Sequence, residues 1–116
     1  MSNTDIAQKQ LDAYNAQDLD TYVSFFAPDC IIAPINGAPS ETSRDAIKAR
    51  YAKAFATFPR NKAELKNRIE VGNSIVDHEL VIQGEAEDLA PVDNWRAVGM
   101  RDGRHRAGAV LRHAMV

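Results

Sequence analysis

One cysteine, Cys30, is all the thiol chemistry this chain carries. A single thiol forms no intrachain disulfide, and without a second one a thiolate zinc site is excluded. It lies in the apolar run Cys30-Ile31-Ile32 with no His or Lys beside it, the setting of a buried, inert thiol. Charge of one sign is also missing. The 14 Lys and Arg stand against 16 Asp and Glu, a net charge of −2. That balance gives no basic stripe for nucleic acid and no attraction to an anionic membrane. Arg101, Arg104, Arg106 and Arg112 gather near the end, and a solvated tail or strand edge accounts for them. No apolar run nears the ~18–20 residues of a membrane span. The opening MSNTDIAQKQ is polar and holds no apolar signal core. The expectation is a cytoplasmic protein with neither a nucleic-acid nor a membrane partner.

What is present suits one globular domain over residues 1–116, with 45% hydrophobic and 26% charged residues. Asn3 or Thr4 can cap a first helix that puts Ile6, Leu11 and Tyr14 on one face. Asp18 or its neighbour can cap a second, with Leu19, Tyr22, Val23 and Phe26 at helical spacing and Pro28 ending it. Cys30 to Ile35 reads as a short strand. Ser43 caps the clearest helix, from Arg44 to about Phe58, whose seam is Ala46, Ile47, Arg50, Tyr51, Ala54, Phe55 and Phe58.

The period then changes from helical to alternating. Ala63, Leu65, Ile69 and Val71 alternate with Lys and Glu as a long strand, and Gly72-Asn73 makes a tight turn. Ser74 to Gln83 is the partner strand, Gly84 to Asp88 a polar hairpin, and Pro91 to Met100 a third long strand. Asp102-Gly103 is another hairpin signal, and the last strand follows it. Helices, a strand, a helix and then a meander of antiparallel strands predict an α+β fold.

Four strings carry a resemblance: AYNAQDLDTYVSFFAPD (13–29), SRDAIKARYAKAF (43–55), VGNSIVDHE (71–79) and APVDNW (90–95). Together with the element order they resemble the nuclear transport factor 2-like superfamily, which includes ketosteroid isomerases and SnoaL-like polyketide cyclases. The resemblance implies a curved antiparallel sheet wrapped around N-terminal helices, a cone with an internal apolar pocket. APVDNW looks most like ketosteroid isomerase. By that likeness Asp93 falls at the oxyanion-hole acid and Tyr51 at a supporting tyrosine, while Gln10 replaces the principal tyrosine, one turn from Tyr14. The general base falls at or next to Ala33, and alanine accepts no proton, so authentic steroid isomerisation is not expected. No cofactor and no metal are implied.

The run Ile75-Val76-Asp77-His78-Glu79-Leu80 looks like a His between two carboxylates. A strand alternates its side chains, so His78 shares a face with Val76 and Leu80, and Asp77 shares the other with Glu79. A one-strand metal cluster is thereby excluded. Aligned with the family, the Val76–His78–Leu80 stripe faces the pocket, and so do Asp93 and Trp95 on the next strand. His78 and Asp93 are then the expected catalytic pair, a carboxylate orienting an imidazole. The alternative is a structural hydrogen bond between them. Tyr51, Trp95, Tyr14, Val76 and Leu80 are the expected ligand contacts. The opposite face, with Asp77 and Glu79 paired to Arg68 or Lys66, is expected to carry a homodimer contact. Tyr14, Phe26, Phe55 and Phe58 line the pocket or fill plain core. His105 and His113 receive no role.

The tail RHRAGAVLRHAMV lacks the aromatic and branched residues that a closing strand carries. One set of synonymous codons for Arg104–Val116, read one base later, encodes VIARVLFFGMRW. Residues 104–116 are therefore expected to reflect a frame change near Gly103–Arg104. The functional expectation is a protein that binds a small apolar molecule bearing oxygen and catalyses proton transfer, cyclisation or hydration without a cofactor. The alternative is a non-catalytic ligand-binding or dimerisation module.

Overall fold

The computed structural model describes residues 2–34, 37–82, 92–101 and 106–115. Helix α1 spans Asn3–Ala16, α2 Leu19–Ser24 and α3 Arg44–Thr57; the strands are β1 Phe26–Pro34, β2 Lys62–Val71, β3 Ser74–Ile82, β4 Val92–Arg101 and β5 Arg106–Met115. The sheet order is β1-β5-β4-β3-β2. Strands β2 to β5 pair antiparallel, and β1 adds to β5 in parallel at one edge. This is the expected α+β plan of helices against one curved sheet. The expected hairpins at Gly84–Asp88 and Asp102-Gly103 lie outside the described residues. Among the described residues no helix is long and apolar enough to cross a membrane.

Local signals explain most boundaries. The cap of α1 is Ser2, not the expected Asn3 or Thr4, because Ser2 and Asp5 form a reciprocal capping box. Gln17 closes α1 in the left-handed region at φ 56°, and Asp18 caps α2 through the Thr21 amide. Ser43 caps α3 as expected. Strand β1 starts at Phe26, four residues before the expected Cys30. Pro28 does not end a helix; it sits inside an edge strand whose register shifts between Phe26 and Ile31, where a missing N–H is tolerated.

The helices and the inner sheet face bury one core. Ile6, Tyr22, Phe26, Cys30, Ile32, Ile47, Tyr51, Ile75 and Val98 form its centre, and each large apolar side chain there contributes about 1.5–3 kcal/mol. Helix α1 lies along β2. Asn15 holds both the N–H and the C=O of Ala63, at 2.8 and 2.9 Å, and Gln8 accepts from Arg68 at 2.9 Å.

Strand β2 corrects one expectation. Its register slips between Leu65 and Asn67, a bulge at Lys66. Ala63 and Leu65 face the helices, but past the bulge the inward positions pass to Arg68 and Glu70. Ile69 and Val71 therefore point outward, 53% and 64% exposed. Strict alternation from Ala63 to Val71 does not survive the extra residue.

Candidate functional site

The inner face of β3 carries Ile75, Asp77 and Glu79, all buried. Val76, His78 and Leu80 lie on the outer face, half-buried. This reverses the expected orientation. Both faces of β3 hold apolar residues, and counting them favours the wrong one. Asp77 and Glu79 tolerate the inside because partners on β2 and β4 compensate them. Arg68 grips Asp77 with Nε at 2.7 Å and Nη2 at 3.0 Å. Asn94 donates to Glu79 Oε1 at 3.2 Å. Asp77 and Glu79 are thus not a dimer face, and Arg68 pairs within its own chain.

His78 and Asp93 do meet, Nε2 to Oδ1 at 3.1 Å, and the His78 ring stacks on Trp95 at 4.3 Å with 6° between planes. All three stand on the outer face, with the His78 and Asp93 side chains 21% and 50% exposed. Asp93 therefore does not occupy the inward position of an oxyanion-hole acid; its neighbour Asn94 points inward. Val76, Leu80 and Trp95 likewise lie outside the pocket. Of the expected contacts, Tyr51 and Tyr14 are the two that line it.

The pocket lies between the helices and β2–β4. Gln10, Leu11, Tyr14, Tyr22, Tyr51, Ala63, Glu79, Val81 and Arg96 enclose about 320 Å³, counted to the open mouth. Its enclosed part has room for one or two waters. The tyrosine rings pack edge-on, Tyr22 to Tyr51 at 4.8 Å and Tyr14 to Tyr51 at 6.2 Å between centroids. The Asn61 side-chain amide donates to the Tyr14 hydroxyl.

Arg96 is the unusual residue. It is buried, yet its guanidinium makes one side-chain hydrogen bond among the described residues, to Gln10 Oε1 at 3.0 Å. A guanidinium has five N–H donors. Burial works against its charge, but nearby Tyr22, Glu79, Tyr51 and Asp77 outweigh burial and hold its pKa above the ordinary value. Glu79 supplies a carboxylate to the same pocket. From sequence Glu79 is expected at the dimer face and Arg96 has no role, though β4 carries a signal for Arg96. In β4, Val98 and Met100 mark the buried parity, and Asn94 and Arg96 share it. Gln10, which replaces the tyrosine of the resemblance, proves to be the residue that holds Arg96. Ala33 is buried on β1 and is not among the pocket walls. Among the described residues no three His, Cys, Asp or Glu side chains cluster as a metal site.

Residues 7–113 match the SnoaL-like domain family model. An uncharacterised cystatin-fold protein from Novosphingobium aromaticivorans is 32% identical, with TM-score 0.89 over 97% of this chain and 98% of that one. A proposed polyketide cyclase from Sinorhizobium meliloti is 21% identical, with TM-score 0.77 over 97% and 100%. A nuclear transport factor 2-like protein of unknown function from Cytophaga hutchinsonii is 9% identical, with TM-score 0.79 over 99% and 91%. The last two share the fold. No curated protein matches the chain. By its family model, this chain belongs to the SnoaL-like domain family.

Proposed function

We propose that the inner pocket binds a small, mainly apolar molecule that carries oxygen, and that Arg96 and Glu79 act on it. The observation that carries this reading is the buried guanidinium of Arg96, with one side-chain hydrogen bond among the described residues, beside a carboxylate and within aromatic walls. Arg96 donates to a ligand carbonyl and holds negative charge that develops on its oxygen. Glu79 takes a proton from the adjacent carbon. Returning that proton elsewhere on the ligand gives isomerisation; attack of the enolate on a second carbonyl of the ligand, whose oxygen then takes the proton back from Glu79, gives cyclisation; in hydration Glu79 instead takes the proton of the attacking water. The polyketide cyclase named for the Sinorhizobium relative supports cyclisation as the first activity to assay. A native mass spectrometry screen of steroids, polyketide-like ketones and epoxides supplies the ligand. Arg96→Met should then abolish its retention; retention at unchanged affinity sinks the proposal.

A second reading, a homodimer through the outer sheet face, is favoured by Ile69 and Val71, large apolar side chains left exposed there beside half-buried Val76, Leu80 and Trp95. In the double variant Ile69→Lys, Val71→Lys, light scattering should report a monomer where the parent chain gives a dimer. A parent chain that is already monomeric at high concentration removes this reading.

A further inference from the structure

We infer that the pocket selects uncharged ligands that present a hydrogen-bond acceptor and a donor together, such as a hydroxyaryl carboxamide or a hydroxy ketone, over carboxylates and amines of the same size. The inference rests on the reading of this pocket as a ligand site. Five ionisable side chains sit on the inner face of β2–β4 among the described residues: Arg68, Glu70, Asp77, Glu79 and Arg96. Glu70 accepts from the Thr4 hydroxyl at 2.8 Å and is not a pocket wall. Arg68 and Asp77 neutralise each other through two hydrogen bonds and stand outside the pocket walls. The pocket's own charge comes from Glu79 and Arg96, one of each sign.

Among the described residues neither charge is held in an ion pair. A neutral amide, Asn94, engages Oε1 of Glu79, and another, Gln10, engages one N–H of Arg96. Among the described residues the pocket is therefore a donor pole and an acceptor pole whose charges cancel. A carboxylate that reaches Arg96 brings an uncompensated negative charge beside Glu79. An ammonium that reaches Glu79 brings an uncompensated positive one beside Arg96. Burial penalises both. An uncharged ligand can offer its carbonyl to Arg96 and its hydroxyl proton to Glu79, and it adds no charge. Tyr14, Tyr22 and Tyr51 supply edges and faces for a flat ring. The enclosed part has room for one or two waters, so a flat ring that binds here sits largely in the open mouth between the tyrosines and β2–β4.

Salicylamide, salicylate and benzylamine share a size and differ in charge. Titrated into the intact protein at pH 7 and followed by calorimetry, salicylamide should bind at least tenfold more tightly than either ion. Glu79→Gln leaves the pocket one positive charge and should make salicylate the tightest of the three. Arg96→Gln should move the preference to benzylamine. Salicylate binding the parent protein as tightly as salicylamide overturns the inference and keeps the pocket as a site. So does an unchanged order in a folded variant. If none of the three binds saturably, the pocket reading fails as well. The comparison on the parent protein decides alone if both variants unfold.

Discussion

Arg68 meets Asp77 across the β2–β3 pair in a two-point clamp, Nε to Oδ1 at 2.7 Å and Nη2 to Oδ2 at 3.0 Å. The Asp77 side chain is 1% exposed and that of Arg68 12%. Removing one partner of such a pair leaves a buried charge unmatched, at a cost of about 3–5 kcal/mol. Asp77→Ala should show that loss in urea unfolding. The double replacement Arg68→Met, Asp77→Leu should recover most of it. If the double variant is as unstable as the single one, the clamp is not the origin of the effect.

Asp5 gives α1 a pH dependence. The Ser2 backbone N–H, then the Ser2 side chain, holds its carboxyl below the ordinary value of 3.8. A carboxyl lowered on folding adds stability above its unfolded pKa and loses it as the pH falls through its folded pKa. The first turn of α1 should therefore fray below about pH 4, visible as amide shifts of Asn3 to Ile6. Asp5→Asn should remove that acid step. An identical step in the variant would assign it to another group.

His78 and Trp95 stack on the outer face, away from the pocket walls. His78→Ala should change the emission of Trp95, the chain's one tryptophan, while pocket ligands keep their affinity within about twofold. A tenfold loss of binding would restore the pair to the pocket's chemistry.

Strand β5 lies between β1 and β4, so it has a neighbour on each side. We propose that its sequence arose by a frame change near Gly103–Arg104. A chain continuing after Gly103 as VIARVLFFGMRW should melt several degrees higher, because branched and aromatic residues suit a central strand. Source DNA in which no one-base shift restores an apolar strand refutes the origin, whatever the melting point.

The helices were legible because their signals are local. Asp18, Ser43 and the Ile47–Tyr51–Phe55 spacing depend on residues within a turn or two. Ser2 was legible too, through the Ser2–Asp5 spacing, but Asn3 and Thr4 masked it as competing caps. Along β2, the same alternation that identifies a strand misplaced Ile69 and Val71, since a bulge leaves no mark in the pattern of Lys and Glu around Lys66.

The amino-acid sequence by itself determined the α+β order, the helix caps, the solitary thiol and the proximity of His78 to Asp93, because these follow from spacing and strand pairing. It also set Asp77 and Glu79 on one face and His78 on the other. Which face turns inward was decided only in the tertiary structure. That choice depends on partners distant in the chain: Arg68 for Asp77, Asn94 for Glu79, Gln10 for Arg96. An acid that looks like surface in one strand becomes core when another element brings it a donor, and parity within the strand carries no record of that donor.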